Sequence, residues 1–516
     1  MHPDRSSRES VILGALLAII LAVTCFAVLG RAPLFDVDEG AFSEATREML
    51  RSGNYLSTTL NGAPRFDKPI LIYWLQLLSL KTFGPGEFAF RLPSALAAGA
   101  WSFALFLHES RRSGARQAFT AAAMLILSLQ VTIIAKAAIA DALLNLCLAG
   151  TLLSLLTYYR SGSRHALLLA FSAMGFGMLT KGPVAVLIPL AATFLFQLGR
   201  GTLRQWLRMV LDPAGIALFL AIALPWYLLE YRAEGMDFIQ GFFLKHNVGR
   251  FGTSFEGHSG SILYYVPVVI IGLMPFTGLL YTVVRNFRRL MADPENLFLG
   301  IWTLFVFAFF SLSGTKLPHY MIYGYTPLFI LMARALPYLR RPALTLIWPL
   351  LLLALLALLP ALLPAAAAMA AGDPFIADIL EAARAIFAEG HIILTLALAA
   401  AMAAIMLLRR FPAEFRLVAS GLCFSLYVNL HVMALAGRLL QEPVKEAALL
   451  AKQNGWEIVM WRVDYPSFLV YSESLALKRD PRPGEVVLTT SKHLGELREP
   501  EVLYRKNGIV LLRTTQ

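Results

Sequence analysis

Residues 34–78 read LFDVDEGAFSEATREMLRSGNYLSTTLNGAPRFDKPILIYWLQLL and closely follow an apolar run over residues 11–29. The first acids of this stretch, Asp36, Asp38 and Glu39, stand only a few residues beyond that run, so we expect them at the lipid–water boundary. An acid before a helix is often an N-cap, and apolar residues recur behind these acids at helical spacing. Capping explains one acid but hardly three. The stretch therefore predicts a site at the membrane surface that uses carboxylates.

The composition is that of a membrane protein. Over 516 residues the chain is 58% hydrophobic and 15% charged, with a mean hydropathy of +0.64, which excludes an ordinary soluble domain. The net charge of +12 does not indicate nucleic-acid binding, because the basic residues are distributed between apolar runs. Cys25, Cys147 and Cys423 all fall inside apolar runs, so neither a disulfide framework nor a thiolate metal site is expected.

A window of bilayer length predicts about thirteen membrane spans. Arginines fall in every alternate loop, which by the positive-inside rule places those loops and the N-terminus in the cytoplasm and the C-terminus in the periplasm. The first apolar run lacks a good cleavage site and is read as a retained anchor. The predicted spans begin near Val11, Phe88, Ala118, Asp141, His165, Pro183, Pro213, Ile262, Leu297, Met321, Ala343, Ile392 and Leu417.

Two segments outside the spans are expected to fold. The first periplasmic loop, residues 31–87, predicts two amphipathic juxtamembrane helices, Gly40–Arg51 and Ile70–Thr82, joined by a turn-rich segment. Hydropathy falls after residue 441, and the runs EIVMW, GEVVLTT and YRKNGIVLLR predict strands, the last with an Asn-Gly hairpin turn. The predicted fold class is an all-α polytopic membrane domain over residues 1–440, with a small α/β periplasmic domain over residues 441–516.

Four lysines mark the loops that the charge pattern assigns to the periplasm. Each of them shares a loop or a loop edge with the end of a span, and Pro, Asp or His stands close by. Any single one could be a snorkelling residue. A lysine at the headgroup plane is also what a lipid phosphate would need, above all when bond cleavage increases its charge. These residues are Lys68, Lys136, Lys181 and Lys316.

Two histidines lie in loops on the same predicted side. His319 in KLPHY is more simply an aromatic-belt or hydrogen-bonding residue. His246 in FFLKHNVGRF shares its side of the membrane with Asp67, whose carboxylate could join it around a divalent ion that a phosphate would complete. The chain has no HExxH, no cysteine-based zinc spacing, no GxxxxGK[ST] and no GxGxxG, so proteolysis and nucleotide-driven chemistry lack support.

Several short motifs occur in a fixed order along residues 11–337. They are DVDEGAFSEATREML, RFDKPILIYW, FRLPSALAA, the Lys136/Asp141 pair, TKGPVA, LPWY, KHNVGRF and SGTKLPHY. Each is weak alone, but the ordered set resembles the GT-C membrane glycosyltransferases. More narrowly, it resembles the branch that holds the lipid A aminoarabinose transferase and the protein O-mannosyltransferases. The resemblance implies a GT-C fold in the bacterial inner membrane and a sugar donor carried on undecaprenyl phosphate. Transfer would occur on the periplasmic face, inverting, to lipid A or a similar envelope acceptor.

The resemblance also assigns the acids. Asp38 resembles the essential acid of the first loop and Asp141 the second, and we place Glu39 with them as catalytic. The aminoarabinose enzymes tend to read DETRYAE where this chain has DEGAFSE, so Ala41 stands where they carry an arginine. The identity of the transferred sugar, a hexose or a pentose, is therefore open.

The resemblance assigns binding roles as well. Asp67 and His246 resemble a metal-binding pair, for zinc, manganese or magnesium. No nucleic-acid partner is expected, and the protein is expected to be a monomer. The residues expected to contact the donor phosphate are Lys68, Lys181, Lys316 and Tyr320.

Three rival functions stay open at this point. A protein O-glycosyltransferase would share the fold. A flippase or transporter of lipid-linked sugars is disfavoured by the asymmetric loops and by the absence of paired broken helices in the sequence. A polymerase or ligase acting on diphosphate-linked glycans would keep the basic loops but would not need the Asp38 cluster.

Overall fold

The computed structural model describes residues 3–249, 260–370, 372–387 and 389–515. Arg250 and Phe251, the last residues of the KHNVGRF motif, lie outside the described residues. Eight of the described helices are long and apolar enough to cross a membrane, which agrees with a multi-pass membrane protein. They are Arg8–Phe26, Glu87–Ser110, Asp141–Ser161, Pro213–His246, Pro294–Leu312, Pro342–Met369, Gly390–Leu407 and Ala413–Asn454.

Twenty-three α-helices are described in these ranges, with short 3₁₀ and π segments between some of them. They are α1 (Pro3–Leu21), α2 (Asp38–Ser52), α3 (Leu71–Phe83), α4 (Glu87–Ser110), α5 (Ala115–Leu127), α6 (Leu129–Ile134), α7 (Asp141–Ser161), α8 (Arg164–Lys181), α9 (Val184–Gly199), α10 (Leu203–Val210), α11 (Pro213–Phe238), α12 (Tyr265–Gly272), α13 (Gly278–Arg285), α14 (Phe287–Leu290), α15 (Pro294–Leu312), α16 (Tyr325–Ala335), α17 (Ile347–Met369), α18 (Pro374–Ile386), α19 (Glu389–Leu407), α20 (Ala413–Tyr427), α21 (Met433–Ala436), α22 (Glu442–Asn454) and α23 (Pro466–Ser472).

The first loop between α1 and α4 contains the two predicted juxtamembrane helices, α2 and α3, within two residues of the predicted bounds. The acids Asp38 and Glu39 in the first turn of α2 stabilise the N-terminus of this helix. The helix ends at Gly53, which has a left-handed φ of 71°. Between α2 and α3 the chain forms a small hairpin of β1 (Thr59–Leu60) and β2 (Ala63–Pro64). The loop is therefore a folded unit that holds α2 against the membrane domain.

The C-terminal segment forms a five-stranded mixed sheet, on which α22 and α23 pack. The predicted Asn-Gly turn is confirmed: Asn507 and Gly508, with φ of 47° and 82°, join two antiparallel strands. The short parallel edge strand over residues 476–478 was not predicted. The strands are β3 (Ile458–Met460), β4 (Ala476–Lys478), β5 (Val486–Thr490), β6 (Glu501–Lys506) and β7 (Ile509–Arg513), and their order in the sheet is β4-β3-β5-β7-β6.

No loop separates the two parts of the chain at the predicted boundary of residues 440 and 441. A helical stretch runs from Ala413 to Asn454, through α20, α21 and α22 and the π segments between them. The stretch leaves the membrane domain and ends against the sheet. The C-terminal domain is therefore joined to the membrane domain by a continuous helical stretch and not by a loop.

The C-terminal domain also contacts the loop that leads into α2. The Asp36 carboxylate accepts a hydrogen bond of 2.8 Å from the Ser467 backbone N–H and a second from the Ser467 hydroxyl, at the first turn of α23. Tyr471 accepts a bond of 2.7 Å from the Leu34 N–H. A Cβ atom on Gly40 would lie 2.4 Å from the Ser467 nitrogen, so only glycine permits this approach. The local sequence suggests that Asp36 caps its own helix, α2. In the structure its carboxylate instead caps α23, a helix of the C-terminal domain.

The Asp36 contact makes a prediction about pH. Burial raises the pKa of Asp36 to about 7, although the bonds from Ser467 oppose that shift. The folded protein therefore favours the protonated carboxyl more than the unfolded chain does, so the contribution of Asp36 to stability is fully present below about pH 4 and is lost as pH rises through about 7. Asp36→Asn should remove this part of the slope. The measurement is the thermal unfolding midpoint of both proteins across this range.

Other buried acids also make stability depend on pH, and they contribute equally to the wild type and to Asp36→Asn. Burial also raises the pKa of Glu44 to about 7, and Glu44 is unchanged in the variant. Only the difference between the two curves reports Asp36. If the midpoint of Asp36→Asn fell with pH as steeply as that of the wild type, the Asp36 carboxyl would not be the source.

Candidate functional site

A cavity of about 460 Å³ opens between the first loop, the start of α9 and the segment before α16. We call it the lysine cavity. One part of its wall is polar and carries Asp67, Lys68, Lys181, His246, Tyr320 and Tyr323. The rest is mainly apolar and carries Pro183, Val184, Leu187, Phe243, Phe309 and Phe310.

Three side chains from distant parts of the chain form a hydrogen-bonded group in the polar wall. The Lys181 amine, in the last turn of α8, donates to Asp141 Oδ1 at 2.7 Å and to the Tyr323 hydroxyl at 2.8 Å. Tyr323 in turn donates to Asp141 Oδ1 at 2.7 Å. His319 lies 3.8 Å from the same oxygen. Asp141 is 3% exposed, so its charge is balanced by Lys181 and not by water.

A second group surrounds Asp67. Its carboxylate accepts 2.9 Å from the Lys68 amine and 3.2 Å from Arg65, and its Oδ1 lies 3.1 Å from His246 Nδ1. The Arg65 side chain is 9% exposed, and its guanidinium lies 5.2 Å from the centroid of the Phe42 ring of α2. Both members of the predicted metal pair, and the predicted phosphate-binding Lys68, thus meet in one place.

Asp38 is the first residue of α2, and it is exposed. Its charge acts on Arg65 and Tyr73 of the first loop and also on His319, which lies beside Asp141. Asp38 does not itself line the lysine cavity, and these electrostatic interactions link it to the surroundings of Asp141.

Glu39 is the clearest departure from the sequence prediction. Its carboxylate is 5% exposed and forms a two-pronged ion pair with Arg91 of α4, at 2.9 and 2.8 Å. It also accepts from the backbone N–H groups of Phe35 and Ala138. Four N–H donors hold this carboxylate as a structural anchor would be held, so the geometry favours a structural role, and the catalytic role of Glu39 stays a prediction.

Lys316 also lies elsewhere than expected. Its buried amine donates to the carbonyls of Ser311 and Ser313 at 2.9 and 2.7 Å, where it satisfies the C-terminal end of α15. It does not line the lysine cavity. The prediction that Lys316 contacts the donor phosphate therefore finds no support. Lys136 donates to the Ala27 carbonyl at 2.6 Å and lines a different cavity.

Sequence reasoning missed or undervalued Tyr323, Arg65 and His319. Tyr323 follows Tyr320 by three residues in the 3₁₀ segment Pro318–Gly324, where side chains three apart lie on one face. That spacing could have identified it, because Tyr320 was already a candidate. Arg65 stands in the quoted motif RFDKPILIYW, beside Asp67. It was overlooked because only lysines were taken as markers of the periplasmic loops.

Comparisons with known proteins agree with this architecture. Residues 67–228 match the model of the family described as dolichyl-phosphate-mannose-protein mannosyltransferase. An undecaprenyl phosphate-alpha-4-amino-4-deoxy-L-arabinose arabinosyl transferase of Aeromonas hydrophila is 31% identical over 316 residues, which is 59% of this chain and 56% of that protein. The chain thus spans little more than half the length of this curated relative. An uncharacterized protein of Aquifex aeolicus is 30% identical over 58% of this chain and 67% of its own length.

The fold has solved counterparts. The crystal structure of ArnT from Cupriavidus metallidurans bound to undecaprenyl phosphate superposes with a TM-score of 0.81, over 96% of this chain and 97% of that one, at 21% identity. The same protein in the apo state gives a TM-score of 0.77 at 22% identity. The molecule is a mostly helical, multi-pass inner-membrane protein with the GT-C fold and a small C-terminal sheet domain. The chain belongs to the GT-C glycosyltransferases, in the branch of the lipid A aminoarabinose transferase and the protein O-mannosyltransferases.

The Glu39–Arg91 pair makes a prediction that separates anchoring from catalysis. Glu39→Gln should lower the free energy of unfolding by about 3–5 kcal/mol, because it leaves the buried Arg91 charge uncompensated. The measurement is the thermal midpoint in detergent. The control is Glu457→Gln, which removes an exposed carboxylate from the C-terminal domain. A wild-type midpoint in Glu39→Gln would contradict the anchoring role.

Proposed function

We propose that this protein transfers a sugar from an undecaprenyl-phosphate-linked donor to a periplasmic envelope acceptor, lipid A or a similar glycolipid or glycan, with inversion at the anomeric carbon. The observation that carries the proposal is the lysine cavity, which has two lysines in one part of its wall and aliphatic and aromatic side chains in the rest. That division suits an isoprenoid phosphate. The name of the Aeromonas relative and the undecaprenyl phosphate bound to the Cupriavidus protein support the same donor class.

The two lysines suit the departing phosphate. When the acceptor oxygen attacks the anomeric carbon, the bond from that carbon to the phosphate oxygen breaks and the electron pair stays on undecaprenyl phosphate. The phosphate thereby gains a negative charge. Lys68 and Lys181 supply charged donors that stabilise this leaving group more than the intact donor.

The two acids have different proposed roles. Asp38, exposed at the start of α2, accepts the proton of the acceptor or orients the acceptor oxygen. Asp141 holds Lys181, since its carboxylate already accepts bonds from that lysine and from Tyr323. The centroid of the Tyr320 ring lies 5.6 Å from the Lys181 amine, and Tyr320 lines the same cavity, where its hydroxyl is a further donor for the phosphate.

The test is a transfer assay. Purified protein is incubated with undecaprenyl-phosphate sugars and either lipid A or an envelope protein fraction, and the products are identified by mass spectrometry. Mass gain on the glycolipid supports the proposal, and gain on protein alone indicates a protein O-glycosyltransferase. Movement of the donor between leaflets of a vesicle without any transfer would indicate a flippase.

We further propose thirteen crossings, a cytoplasmic N-terminus, a periplasmic C-terminus and a monomer. Five further helical stretches are shorter or broken, and with the eight long ones they give the odd number that the arginine pattern needs. Cysteine accessibility at the two termini tests the orientation, and light scattering tests the monomer. The five stretches are 115–134, 164–181, 184–199, 265–285 and 318–335.

We also propose a divalent ion, zinc, manganese or magnesium, at Asp67 and His246. Their nearest atoms lie 3.1 Å apart, close to the separation of about 3.3 Å between two ligands of one tetrahedral zinc ion. Among the described residues no group of three or more His, Cys, Asp and Glu side chains could hold a metal. The ion would therefore bind weakly until phosphate oxygens complete its shell. When bound, it would neutralise donor-phosphate charge.

Asp38→Asn should abolish transfer while the thermal midpoint stays within about 1 °C of wild type. Asparagine keeps the shape of this exposed side chain, so stability should change little, but it cannot take a proton. The measurements are the transfer rate and the thermal midpoint of the same preparation. Retained activity would remove Asp38 from the chemistry.

Lys68→Ala should weaken donor use by about ten- to a hundredfold, because a charge-assisted contact to phosphate contributes about 1.5–3 kcal/mol. Acceptor titrations should change much less. Lys316→Ala is the comparison, since its amine bonds to carbonyls at a helix end and should affect stability instead. An unchanged donor titration in Lys68→Ala would leave that residue a partner of Asp67 only.

Metal should bind more tightly when undecaprenyl phosphate is present, and the lipid should bind more tightly by the same factor when metal is present. His246→Ala should lose both effects and the sensitivity of the rate to chelator. The measurements are equilibrium binding of the metal and of the lipid, each with and without the other. Full activity in chelator, with no ion bound in the presence of lipid, would contradict the proposed site.

A further inference from the structure

His319 lies close to a carboxylate that already has two bonded partners. Its Nε2 atom is 3.8 Å from Oδ1 of Asp141, the same oxygen that accepts hydrogen bonds from Lys181 and Tyr323. A charge-assisted hydrogen bond has a length of about 2.8 Å, so the imidazole is about 1 Å too far to form one. The described wall of the lysine cavity does not include His319, which therefore stands behind that wall.

The backbone before His319 is held from two helices. The Tyr265 hydroxyl of α12 donates to the Leu317 carbonyl at 3.2 Å, and the Gln130 amide of α6 donates to the Pro318 carbonyl at 2.6 Å. The His319 side chain itself is 16% exposed. With the backbone fixed on both carbonyls, a shift of the imidazole by about 1 Å requires only side-chain rotation.

The charged groups around His319 belong to four different parts of the chain. Asp141 at the start of α7 and Asp38 at the start of α2 favour a charged imidazole. Lys181 at the end of α8 and Lys68 of the first loop disfavour it. The protonation of His319 therefore depends on where these two lysines direct their charge.

The other titratable neighbours of His319 lie on its own 3₁₀ segment. They are Tyr320, whose ring packs edge-on against the imidazole with centroids 5.0 Å apart, and Tyr323. Both phenols are uncharged at neutral pH, so they orient the imidazole without adding charge.

The proposed transfer would change the balance at Asp141. As the departing phosphate gains charge, Lys181 would bond to it more strongly and to Asp141 more weakly. The Asp141 side chain is 3% exposed, so water cannot replace the lysine. A buried carboxylate without a compensating charge is strongly unfavourable. A second positive partner within reach of Asp141 would remove that cost.

We propose that His319 is a positioning residue that replaces Lys181 on Asp141 when the lysine turns to the departing phosphate. The imidazole is neutral while Lys181 balances the carboxylate. As the lysine moves, the imidazole takes a proton from solvent and its Nε2–H donates to Asp141 Oδ1. It returns the proton when the lipid phosphate leaves and the lysine comes back. This inference rests on the proposed function, because it needs a lysine that exchanges a carboxylate for a phosphate.

The first measurement is the binding of undecaprenyl phosphate, the proposed leaving group, to the protein in phosphatidylcholine nanodiscs at about pH 7.5. An ordinary histidine and a phosphate monoester, with pKa values of about 6.5 and 6, are both mainly deprotonated at this pH. Calorimetry in buffers of different ionisation enthalpy counts the protons taken up for each lipid bound. The intact sugar donor is titrated in the same way, without acceptor.

Two variants and one control are compared with the wild type. His319→Phe keeps a flat ring against Tyr320 but has no nitrogen, and His319→Gln keeps a donor that cannot gain a charge. The control is His493→Phe in the C-terminal domain. His493 has a matching environment, since it lies 2.8 Å from Glu496, packs edge-on against Trp461 and is 17% exposed. Thermal midpoints of all four proteins report stability.

Wild type and control should take up protons when undecaprenyl phosphate binds, and neither His319 variant should. His319→Phe should bind undecaprenyl phosphate about ten- to a hundredfold more weakly, with His319→Gln between it and the wild type. Binding of the intact donor should change by less than about twofold, and kcat for transfer should fall with little change in donor KM, because the contact forms only as the leaving group does.

Equal proton uptake and equal undecaprenyl phosphate affinity in wild type and His319→Phe would overturn the proposal. A purely structural role would also overturn it. That role would lower the thermal midpoint and weaken binding of undecaprenyl phosphate and intact donor alike.

The same proteins separate this inference from the proposed function. If the wild type transfers sugar but His319→Phe takes up as many protons as it does, the inference fails and the transferase activity stands. If undecaprenyl phosphate binds with proton uptake that needs His319, but no sugar is transferred to any acceptor, the exchange of partners at Asp141 stands and the proposed function fails.

Discussion

The buried ion pair of Glu39 and Arg91 is the contact on which the geometry of the first loop depends. Arg91 donates to both carboxylate oxygens of Glu39 and to the carbonyls of Leu29, Ala32 and Pro33. One guanidinium in α4 thus fixes both the chain that leaves the first span and the first turn of α2. Such a charge is tolerated beside a membrane only when its hydrogen bonds are satisfied, so the loop has little freedom to move while the pair is intact.

The C-terminal domain holds the same loop from its other side. Asp36 caps α23, and the Tyr471 hydroxyl accepts a hydrogen bond from the Leu34 N–H. Asn61 of the loop forms two hydrogen bonds with the backbone of Ala476. Because Asp38 lies between residues fixed by the membrane domain and by the sheet domain, its position depends on both. The sheet domain therefore has a physical reason to accompany the membrane domain, even though the described lysine cavity contains none of its residues.

Features set by neighbouring residues were predictable from the sequence. The juxtamembrane helices follow from apolar spacing, and the last hairpin follows from the positive φ that Asn507 and Gly508 accept. The contacts between distant residues were not predictable. In the sequence, Asp38 and Glu39 are two neighbouring acids that nothing distinguishes. Only the contact with Arg91 of α4 makes Glu39 a buried anchor, while Asp38 stays exposed. Lys316 and Lys181 occupy similar positions in the sequence, at the ends of spans. The Lys316 amine, however, donates to carbonyls at the end of α15.

The pairing within the lysine cavity bears on how such a site can lie at a membrane and still bind an anion. Lys181 is balanced by Asp141, and Lys68 and Arg65 share Asp67, so these five groups carry an excess of one positive charge. Unbalanced lysines would be costly at this depth, and fully balanced ones would attract phosphate weakly. A small excess avoids both costs. In the proposed transfer, each lysine would strengthen its bond to phosphate at the expense of its bond to a carboxylate as the phosphate gains charge, so the stabilisation would be largest when the leaving group forms.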